Sequence, residues 1–582
     1  MMQRSTILNS VAAAAILLSG LPLFAQTTAT AKVISDTILP RDTYMYMSLP
    51  DVKAVNQAMK SSSMGELWND PSLDEFKEDV LDAFQNEMQD MMADFQDVSG
   101  MTFEEALALP SGEISVAISA AGNSAVGAVL FFDVGDNEAR VQPLLEKAAT
   151  AFSNEPDFLQ ANASYGGVAI TGFEIQYPGE APTPLAEEFG WFLKDGRLVA
   201  SNQMELLESV IDNWDGDSED SFVSNETYNF IMERCEADRS KALSKFYLDP
   251  IGLFTKLVQT RSLGQQANMG ASMALGFLPT LGLSQMKAMG SVEMAGTGDF
   301  DMINRTVVYS EQPATGLMQV FQFGQAQTTP PNWVKNNVST YLAANWQIGE
   351  AYTAIESLVD MFQGAGTLAG ILDRMAAGGP GIHIKQDIVD NLTGQIQFIT
   401  APNSSKELGG DEVLVALGIR NPRAVADIVN SLSGGLNMES RKFQGVDLYS
   451  MEISPEQAVS LTVKDNNLLF SVGGSLMEQV LRNDSDVRPL AETKEFQSVA
   501  THFPADAVSV MFTRPVETYR SVYNLIREGN AEEFPGVEDI FAKIDFSKLP
   551  PFESLEKYIK PAGNYTIKDK NGYFTQGFQL KN

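Results

Sequence analysis

The chain has 582 residues and is strongly acidic, since 75 Asp and Glu residues against 40 Lys and Arg give a formal net charge of −35 at pH 7. Such a surface repels phosphate backbones, which argues against nucleic acid as a partner. With 44% hydrophobic and 20% charged residues the composition is that of a globular protein, and the length exceeds what one hydrophobic core supports. The single cysteine, Cys235, excludes an intramolecular disulfide and a thiolate metal cluster.

Residues 1–25 have the pattern of a cleavable signal peptide. Arg4 supplies the leading positive charge, Val11–Leu18 is the apolar stretch, and Ala25 is a small residue at the cleavage position. The apolar stretch is shorter than a comfortable membrane span, and a retained N-terminal anchor is the alternative. We therefore predict an exported protein, periplasmic or extracellular, with no transmembrane span after cleavage. The lack of disulfides in an exported chain of this size favours a bacterial source.

After the signal, Thr43–Ser48 is predicted to be a strand. The next helix is predicted to begin at a capping box of Ser72 and Glu75. Its apolar face follows helical spacing and consists of Leu73, Phe76, Val80, Leu81, Phe84, Met88, Met91 and Phe95. Its acidic face is interpreted as solvent-exposed, with a cationic partner as the alternative, and consists of Asp74, Glu78, Asp82, Glu87, Asp90 and Asp94. Thr102 and Glu105 form a second capping box.

The rest of the chain repeats one order of elements. Strand, tight turn, strand and helix run from Phe192 to Ile211 and again, without gaps, from Thr462 to Leu481. The turn dipeptides Asp195-Gly196 and Asp465-Asn466 tolerate the positive φ that a two-residue hairpin requires. The other corresponding strands are Gly112–Ile118 with Gly394–Ile399, Ala128–Val134 with Val413–Ile419, Val168–Ile175 with Val446–Met451, and Leu243–Leu248 with Ala507–Phe512.

Each copy reads as strand, helix, strand, strand, helix, strand, which is the order of a ferredoxin-like βαββαβ unit. We predict an α+β fold of two tandem homologous halves. Each half would be an antiparallel sheet with a ferredoxin-like unit plus flanking strands and helices. The predicted boundaries are 33–324 for the first half, 325–333 for a linker, and 334–582 for the second half.

The segment Gly264–Met286 departs from the repeat. It has no charged residue and is rich in Met, Gly, Ala and Leu, whereas the comparable region of the second half is charged. Because methionine side chains adapt to varied partners, the segment is a candidate apolar lid or contact surface. The alternative is a pair of helices packed on either half. Its glycines and Pro279 argue against a membrane span.

No catalytic motif is found, and we assign no catalytic, cofactor-binding or metal residues. The only histidines are His383 and His502, which excludes a His-rich zinc site. His383 lies in an apolar stretch and is interpreted as a structural residue of a strand. Gly364–Gly370 has the wrong spacing for a dinucleotide loop and is predicted to be a flexible turn. The best metal candidate is the acidic loop Asp212–Asp220, where Ca²⁺ and a solvated loop are the alternatives, although Trp214 breaks the EF-hand pattern.

Three segments give the chain a resemblance to a known family. They are Leu39–Tyr44, with the sequence LPRDTY, Phe103–Ile114, with the sequence FEEALALPSGEI, and the Lys-Asp hairpin at Lys194. In these segments the chain resembles a bacterial family of exported proteins known only as a domain of unknown function. The resemblance implies export and duplicated α+β modules, and it brings no catalytic residues or cofactors.

The leading hypothesis is an exported non-enzymatic binding or scaffold protein of the bacterial envelope, whose partner is an unknown protein or apolar ligand. It depends on the repeat, which consists of apolar, turn and capping residues and contains no shared polar constellation. One alternative is a carrier of a lipid-like apolar ligand, gated by residues 264–286. Another is a hydrolase of envelope polymers, which would use carboxylates that need not be close in sequence.

Overall fold

A computed structural model describes residues 34–581 except 88–95, 97–101, 103–104, 106–107, 123–124, 177–186, 217, 237–241, 261–264, 380, 403–410, 455–456, 474, 483–486, 515 and 529–543. The predicted signal peptide lies outside the described residues. We call residues 34–322 the first part and residues 323–580 the second part.

The first part alternates strands and helices. Its strands are β1 (Thr43–Leu49), β2 (Ile114–Ala121), β3 (Ala125–Asp133), β4 (Phe158–Gln160), β5 (Ala163–Tyr165), β6 (Val168–Ile175), β7 (Glu188–Lys194), β8 (Arg197–Ser201), β9 (Ala242–Leu248), β10 (Met286–Ala295) and β11 (Phe300–Ser310). Its helices are α1 (Ser35–Ile38), α2 (Val52–Ser61), α3 (Ser63–Trp68), α4 (Asp74–Glu87), α5 (Glu138–Asn154), α6 (Met204–Asp212), α7 (Glu226–Arg234), α8 (Pro250–Gln259) and α9 (Gln265–Phe277).

The second part has a similar content. Its strands are β12 (Phe323–Gly324), β13 (Thr340–Trp346), β14 (Leu392–Pro402), β15 (Asp411–Ile419), β16 (Glu439–Phe443), β17 (Val446–Ser454), β18 (Gln457–Lys464), β19 (Asn467–Gly473), β20 (Ala507–Thr513), β21 (Ala562–Asp569) and β22 (Gly572–Leu580). Its helices are α10 (Ile348–Gln363), α11 (Thr367–Gly378), α12 (Pro422–Gly435), α13 (Leu476–Leu481), α14 (Lys494–Ala500) and α15 (Val516–Arg527).

The strands pair into one large antiparallel sheet that runs through both parts. Across the first part the order is β6, β7, β8, β3, β2, β1, β9, β10, β11, with β4 and β5 on the outer side of β6. Across the second part it is β16, β17, β18, β19, β15, β14, β13, β20, β21, β22. The strands β11 and β22 pair with Thr306 opposite Thr575 and join the parts. The prediction of an α+β fold is confirmed.

The strand order differs from that of a simple ferredoxin-like unit, which would place β9 directly beside β3. Instead β2 and β1 lie between them, because β1 pairs with β2 along one edge and with β9 along the other. Met47 of β1 is opposite both Val116 and Phe246. In the second part β14 and β13 separate β15 from β20 in the same way.

Both predicted hairpins form with the expected turn conformation. Asp195 and Gly196 have φ values of 52° and 72°, and Asp465 and Asn466 have values of 47° and 61°. These residue types tolerate the left-handed region, so each turn is encoded locally.

The main core lies on the face of the sheet that α6, α7, α13 and α14 cover. Leu206, Leu207 and Ile231 pack there in the first part, and Val480 and Val499 pack there in the second. On the opposite face α8 packs against β1, β3 and β10, and α15 packs against β14. The sheet therefore has helices on both faces.

Two glycines at matching places in the strand order determine how closely helices approach the sheet. A Cβ at Gly290 of β10 would lie 2.7 Å from Ile231 of α7, and one at Gly563 of β21 would lie 2.4 Å from Val499 of α14. We expect Gly290→Ala and Gly563→Ala each to lower the free energy of unfolding by about 1–3 kcal/mol through overpacking. Denaturant titration measures the loss. Gly276→Ala is the control, because a Cβ there meets nothing within 4 Å. A loss of stability in only one of the two strand variants would contradict the inference that the two glycines have equivalent roles in helix packing.

Helices that follow β1 in the first part and β13 in the second part reach across to the other part. We call α2–α4, which follow β1, the first arm, and α10–α11, which follow β13, the second arm. In the first arm, Leu73 packs in one apolar cluster with Leu549 and Leu555 of the second part. In the second arm, α10 packs against residues 316–321, and Trp346, the last residue of β13, donates a hydrogen bond to the carbonyl of Val320 (2.7 Å).

The start of α4 differs from the prediction. Ser72 lies within a 3₁₀ turn, and its backbone N–H donates to the Asp70 carboxylate (2.9 Å). Asp70 takes the capping role because Pro71 follows it directly and fits the first position of a helical turn. The predicted box of Thr102 and Glu105 does form, with reciprocal backbone-to-side-chain bonds of 2.9 and 3.2 Å. On the predicted acidic face Asp74, Glu78 and Asp82 are exposed, while Asp90 and Asp94 lie outside the described residues.

The segment 325–333, predicted to be a linker, is held at its start by residues 505–507 of the second part. Ala326 is buried, and its N–H donates to the carbonyl of Ala507 (2.8 Å). The side chain of Gln325 donates to the carbonyl of Ala505 (2.7 Å). The first two residues of the segment are therefore fixed by hydrogen bonds to the chain at Ala505 and Ala507.

Candidate functional site

The uncharged segment singled out in the sequence forms one exposed helix. Residues 265–277 are α9, and a 3₁₀ turn at Leu283–Gln285 leads into β10, so the expected helix pair is not formed within residues 265–286. Met269, Met273 and Phe277 are 69%, 65% and 44% exposed. Because they are spaced four residues apart, they lie along one face of the helix. Asn268 ties the helix to α8 through a 2.8 Å hydrogen bond to the carbonyl of Val258.

The second arm extends this apolar face. The ring of Phe277 meets the ring of Phe362 edge-on, with 5.5 Å between the centroids. Phe362 and its neighbour Met361, at the end of α10, are both exposed. We call Met269, Met273, Phe277, Met361 and Phe362 the methionine surface. Both parts of the chain contribute to it.

The methionine surface consists of large apolar side chains that are exposed to solvent. Large apolar side chains gain about 25 cal/mol per Å² when their surface is removed from water, so an uncovered group of them favours association. The unbranched, polarisable methionine side chain can follow the shape of different partners. Residues 265–286 carry no charge in a chain of net charge −35, so an apolar partner of this segment would not have to desolvate a charged side chain of the segment itself.

The first arm shows what a covered contact between the parts looks like. Lys548 lies 2.6 Å from Asp79, and the pKa of Asp79 is lowered by this hydrogen bond. Asp70 accepts from the hydroxyl of Tyr558 (2.7 Å) and lies 3.2 Å from Lys557. Hydrogen bonds from Tyr558 first, and then from Ser72 and Lys557, hold the pKa of Asp70 well below its usual range. Ion pairs thus surround the apolar cluster of the first arm, whereas the methionine surface has no comparable cover among the described residues.

A cluster of buried titratable groups lies under the N-terminal segment. Glu113 accepts hydrogen bonds from the backbone N–H and hydroxyl of Ser35 (2.9 and 2.5 Å), and from the hydroxyls of Tyr46 (3.0 Å) and Ser48 (2.7 Å). Burial raises the pKa of Glu113, and the nearby Asp36 carboxylate raises it further, while the donors from Ser35 and Ser48 oppose the rise. These contacts fasten α1 to the sheet.

Asp36 completes this cluster. Its Oδ2 lies 3.0 Å from Nζ of Lys245 and accepts from the hydroxyl of Tyr228 (2.9 Å). The side chains of Asp36 and Lys245 are 2% and 3% exposed. Ile38 and Leu39, on the same N-terminal segment, are also buried. A polymeric substrate has no access to these carboxylates, so the cluster serves structure and offers no site for hydrolysis.

The acidic loop Asp212–Asp220 is stabilised by contacts within the protein. Asp212 accepts from the hydroxyl of Tyr165 (2.9 Å), which raises the pKa of Tyr165, and the buried Trp214 donates to Asp195 (3.0 Å). Asp217 lies outside the described residues. Elsewhere in the described chain, no three His, Cys, Asp or Glu side chains converge in an arrangement that could hold a metal ion.

The two histidines lie far from this loop in sequence and differ in environment. His383 precedes a π-helical turn at Ile384–Ile388 and its side chain is 47% exposed, so the interpretation as a strand residue is wrong. The Asp387 carboxylate accepts a hydrogen bond from the backbone N–H of His383 (2.7 Å), which stabilises the turn in place of a strand. His502 packs against the rings of Phe300 and Phe578.

The glycine-rich turn has the predicted form. Gly364 ends α10, and Gly366, with a φ of 78°, precedes α11. The turn therefore connects the two helices of the second arm and contributes no nucleotide-binding loop.

Sequence reasoning located α9 but missed Met361 and Phe362. Their only signal in the sequence is a pair of large apolar residues near the end of a helix, separated from Gly364 by Gln363. The sequence alone does not distinguish a core contact from an exposed one at this place. Comparison with protein-family models, curated proteins and solved structures finds no match. Within the described residues, each helix is too short or too polar to cross a membrane.

Proposed function

We propose that the protein is an exported, non-enzymatic scaffold of the bacterial envelope that binds a partner protein through the methionine surface. The observation that carries the proposal is the row Met269, Met273 and Phe277 on an uncharged helix, continued by Phe362 from the second arm. A surface built by both parts of the chain would present its partner with one fixed arrangement.

The proposal includes a tandem duplication of one α+β module in which two strands interrupt a ferredoxin-like order. The matching strand orders support it. So do two isolated bridges at corresponding places, Pro40 with Ser221 and Lys335 with Pro489. Beside these bridges, the N–H of Phe222 donates to the carbonyl of Leu39 and that of Leu490 donates to the carbonyl of Val334. Residues 33–324, 325–333 and 334–582 remain the proposed boundaries.

A carrier of a lipid-like ligand is the second candidate, and the exposed methionine surface is also the observation that favours it. The pockets support it less. One, of about 630 Å³, is lined mainly by lysine and glutamate side chains, and another, of about 320 Å³, is lined by polar groups that include Asn345, Glu350 and Arg420. Sites for apolar ligands are concave and mostly apolar. A lipid would therefore have to lie on the exposed helices.

Charge reversal on the surface tests the proposal. We expect the double variant Met269→Glu and Met273→Glu to bind the partner at least about tenfold more weakly, because two carboxylates must then be desolvated at the contact. A photo-activatable amino acid in place of Met273 identifies the partner by cross-linking in the native envelope. The purified partner is then titrated against the wild-type protein and the double variant.

Leu436→Glu is the matched control, since Leu436 is an exposed apolar residue at the end of α12. The thermal midpoints of all variants are compared to establish folding. Equal binding by the wild-type protein and the double variant would contradict the proposal. Native mass spectrometry with lipid extraction tests the second candidate, and a stoichiometric apolar adduct that the double variant loses would favour the carrier.

A further inference from the structure

We infer that the pocket between α14 and residues 553–561 binds a small organic anion through Lys494 and Lys560. The pocket is a shallow depression of about 630 Å³ that is largely open to solvent. The inference is independent of the methionine surface, which belongs to other elements.

The charges that line the pocket are unequally paired. Its carboxylates all have cationic partners: one guanidinium, that of Arg520, lies 2.8 Å from both Glu553 and Glu556, and Arg514 lies 3.8 Å from Glu495. Stacking of Arg520 over the ring of Phe552, 4.9 Å from the centroid, holds the guanidinium in place. The two guanidinium groups thus offset part of the negative charge of the three carboxylates.

The lysines are not neutralised to the same extent. Lys557 pairs with Asp70 of the first arm (3.2 Å), whereas Lys494 and Lys560 have no carboxylate within 4.0 Å in the described part of the chain. Two ammonium groups therefore line the pocket without counter-charges.

The net charge of −35 does not prevent anion binding at this place. At physiological ionic strength the Debye length is about 8 Å, so distant carboxylates are screened and the nearest charges dominate. Ile559 and Pro561 also line the pocket and give the carbon skeleton of a ligand an apolar contact. The ligand class is therefore an organic anion with carboxylate or phosphate groups and a small apolar portion.

Isothermal titration of the mature protein with citrate, and separately with inorganic phosphate, tests the inference. We expect saturable 1:1 binding of at least one anion that weakens as salt is added. Binding of citrate alone would assign the pocket to carboxylates, and binding of phosphate alone would assign it to phosphates. The double variant Lys494→Glu and Lys560→Glu should lower the affinity at least about tenfold, since it replaces attraction by repulsion.

Two further variants complete the test. Lys570→Glu changes a lysine of the turn between β21 and β22 and should leave the affinity unchanged. Asp70→Asn should raise it, because Lys557 then loses its carboxylate partner and becomes available to the anion. Absence of saturable binding for both anions, or an equal loss in Lys570→Glu and in the double variant, would overturn the inference. Equal thermal midpoints exclude unfolding as the cause of any change.

Discussion

Replacing Lys245 by methionine is expected to lower the free energy of unfolding by about 3–5 kcal/mol. Nζ of Lys245 lies 3.0 Å from Oδ2 of Asp36, and both side chains are almost completely buried. Methionine keeps much of the aliphatic length but not the charge. The Asp36 carboxylate would then stay buried without the ammonium group beside it. The hydrogen bond that it accepts from Tyr228 stabilises the buried charge less than the ion pair does.

Chemical denaturation at pH 7 measures this loss, and two comparisons give it meaning. Adding Asp36→Asn to Lys245→Met should recover much of the stability, because no uncompensated charge remains, and the resulting double-mutant cycle isolates the coupling. Lys287→Met removes a lysine that pairs with Glu311 at 3.0 Å on the surface, and should cost at most about 1 kcal/mol. If the two lysine variants are equally stable, the buried pair is not needed to hold the N-terminal segment.

The sequence predicted local structure where a few neighbouring residues decide it. Asp195-Gly196 and Asp465-Asn466 specify their turns through the conformations that their own backbones tolerate. The strand predicted over Thr43–Ser48 is observed over Thr43–Leu49, and its composition indicated it for the same reason. Such elements needed no knowledge of the rest of the molecule.

The order of the strands could not be predicted in the same way. Tyr46 lies opposite Ala117 and Tyr247, residues about 70 and 200 positions further along the chain. Nothing in the spacing of apolar residues in β1 states which two strands it joins. The simple ferredoxin-like order, in which β3 lies beside β9, was therefore predicted. In the structure β2 and β1 lie between these two strands.

The candidate site was predictable only in part, because exposure depends on what covers a helix. The lack of charge in α9 was visible in the sequence, but the exposure of Met269, Met273 and Phe277 became known only from the structure. Phe362 and Phe76 both belong to amphipathic helices, yet Phe76 packs on the second part and Phe362 is exposed. That difference is decided by residues 546–558, which cover the first arm.

Leu73→Ala is expected to lower the free energy of unfolding by about 2–5 kcal/mol, the cost of a buried cavity that relaxes incompletely. Leu73 is buried, and its cluster includes Leu549 and Leu555 from the far end of the chain. The loss should appear in denaturant unfolding and as faster hydrogen exchange in α4. Phe362→Ala in the second arm is the matched control and should change stability little, because that ring is 51% exposed.

These two variants distinguish the roles of the arms. If the first arm holds the parts together, Leu73→Ala lowers the free energy of unfolding. Under the proposed function, Phe362→Ala weakens partner binding and leaves the free energy of unfolding nearly unchanged. If instead Phe362→Ala is the more destabilising variant, the methionine surface is a structural contact between the parts. The exposed fraction of its methionines would then need another explanation, because a packed contact buries the side chains that stabilise it.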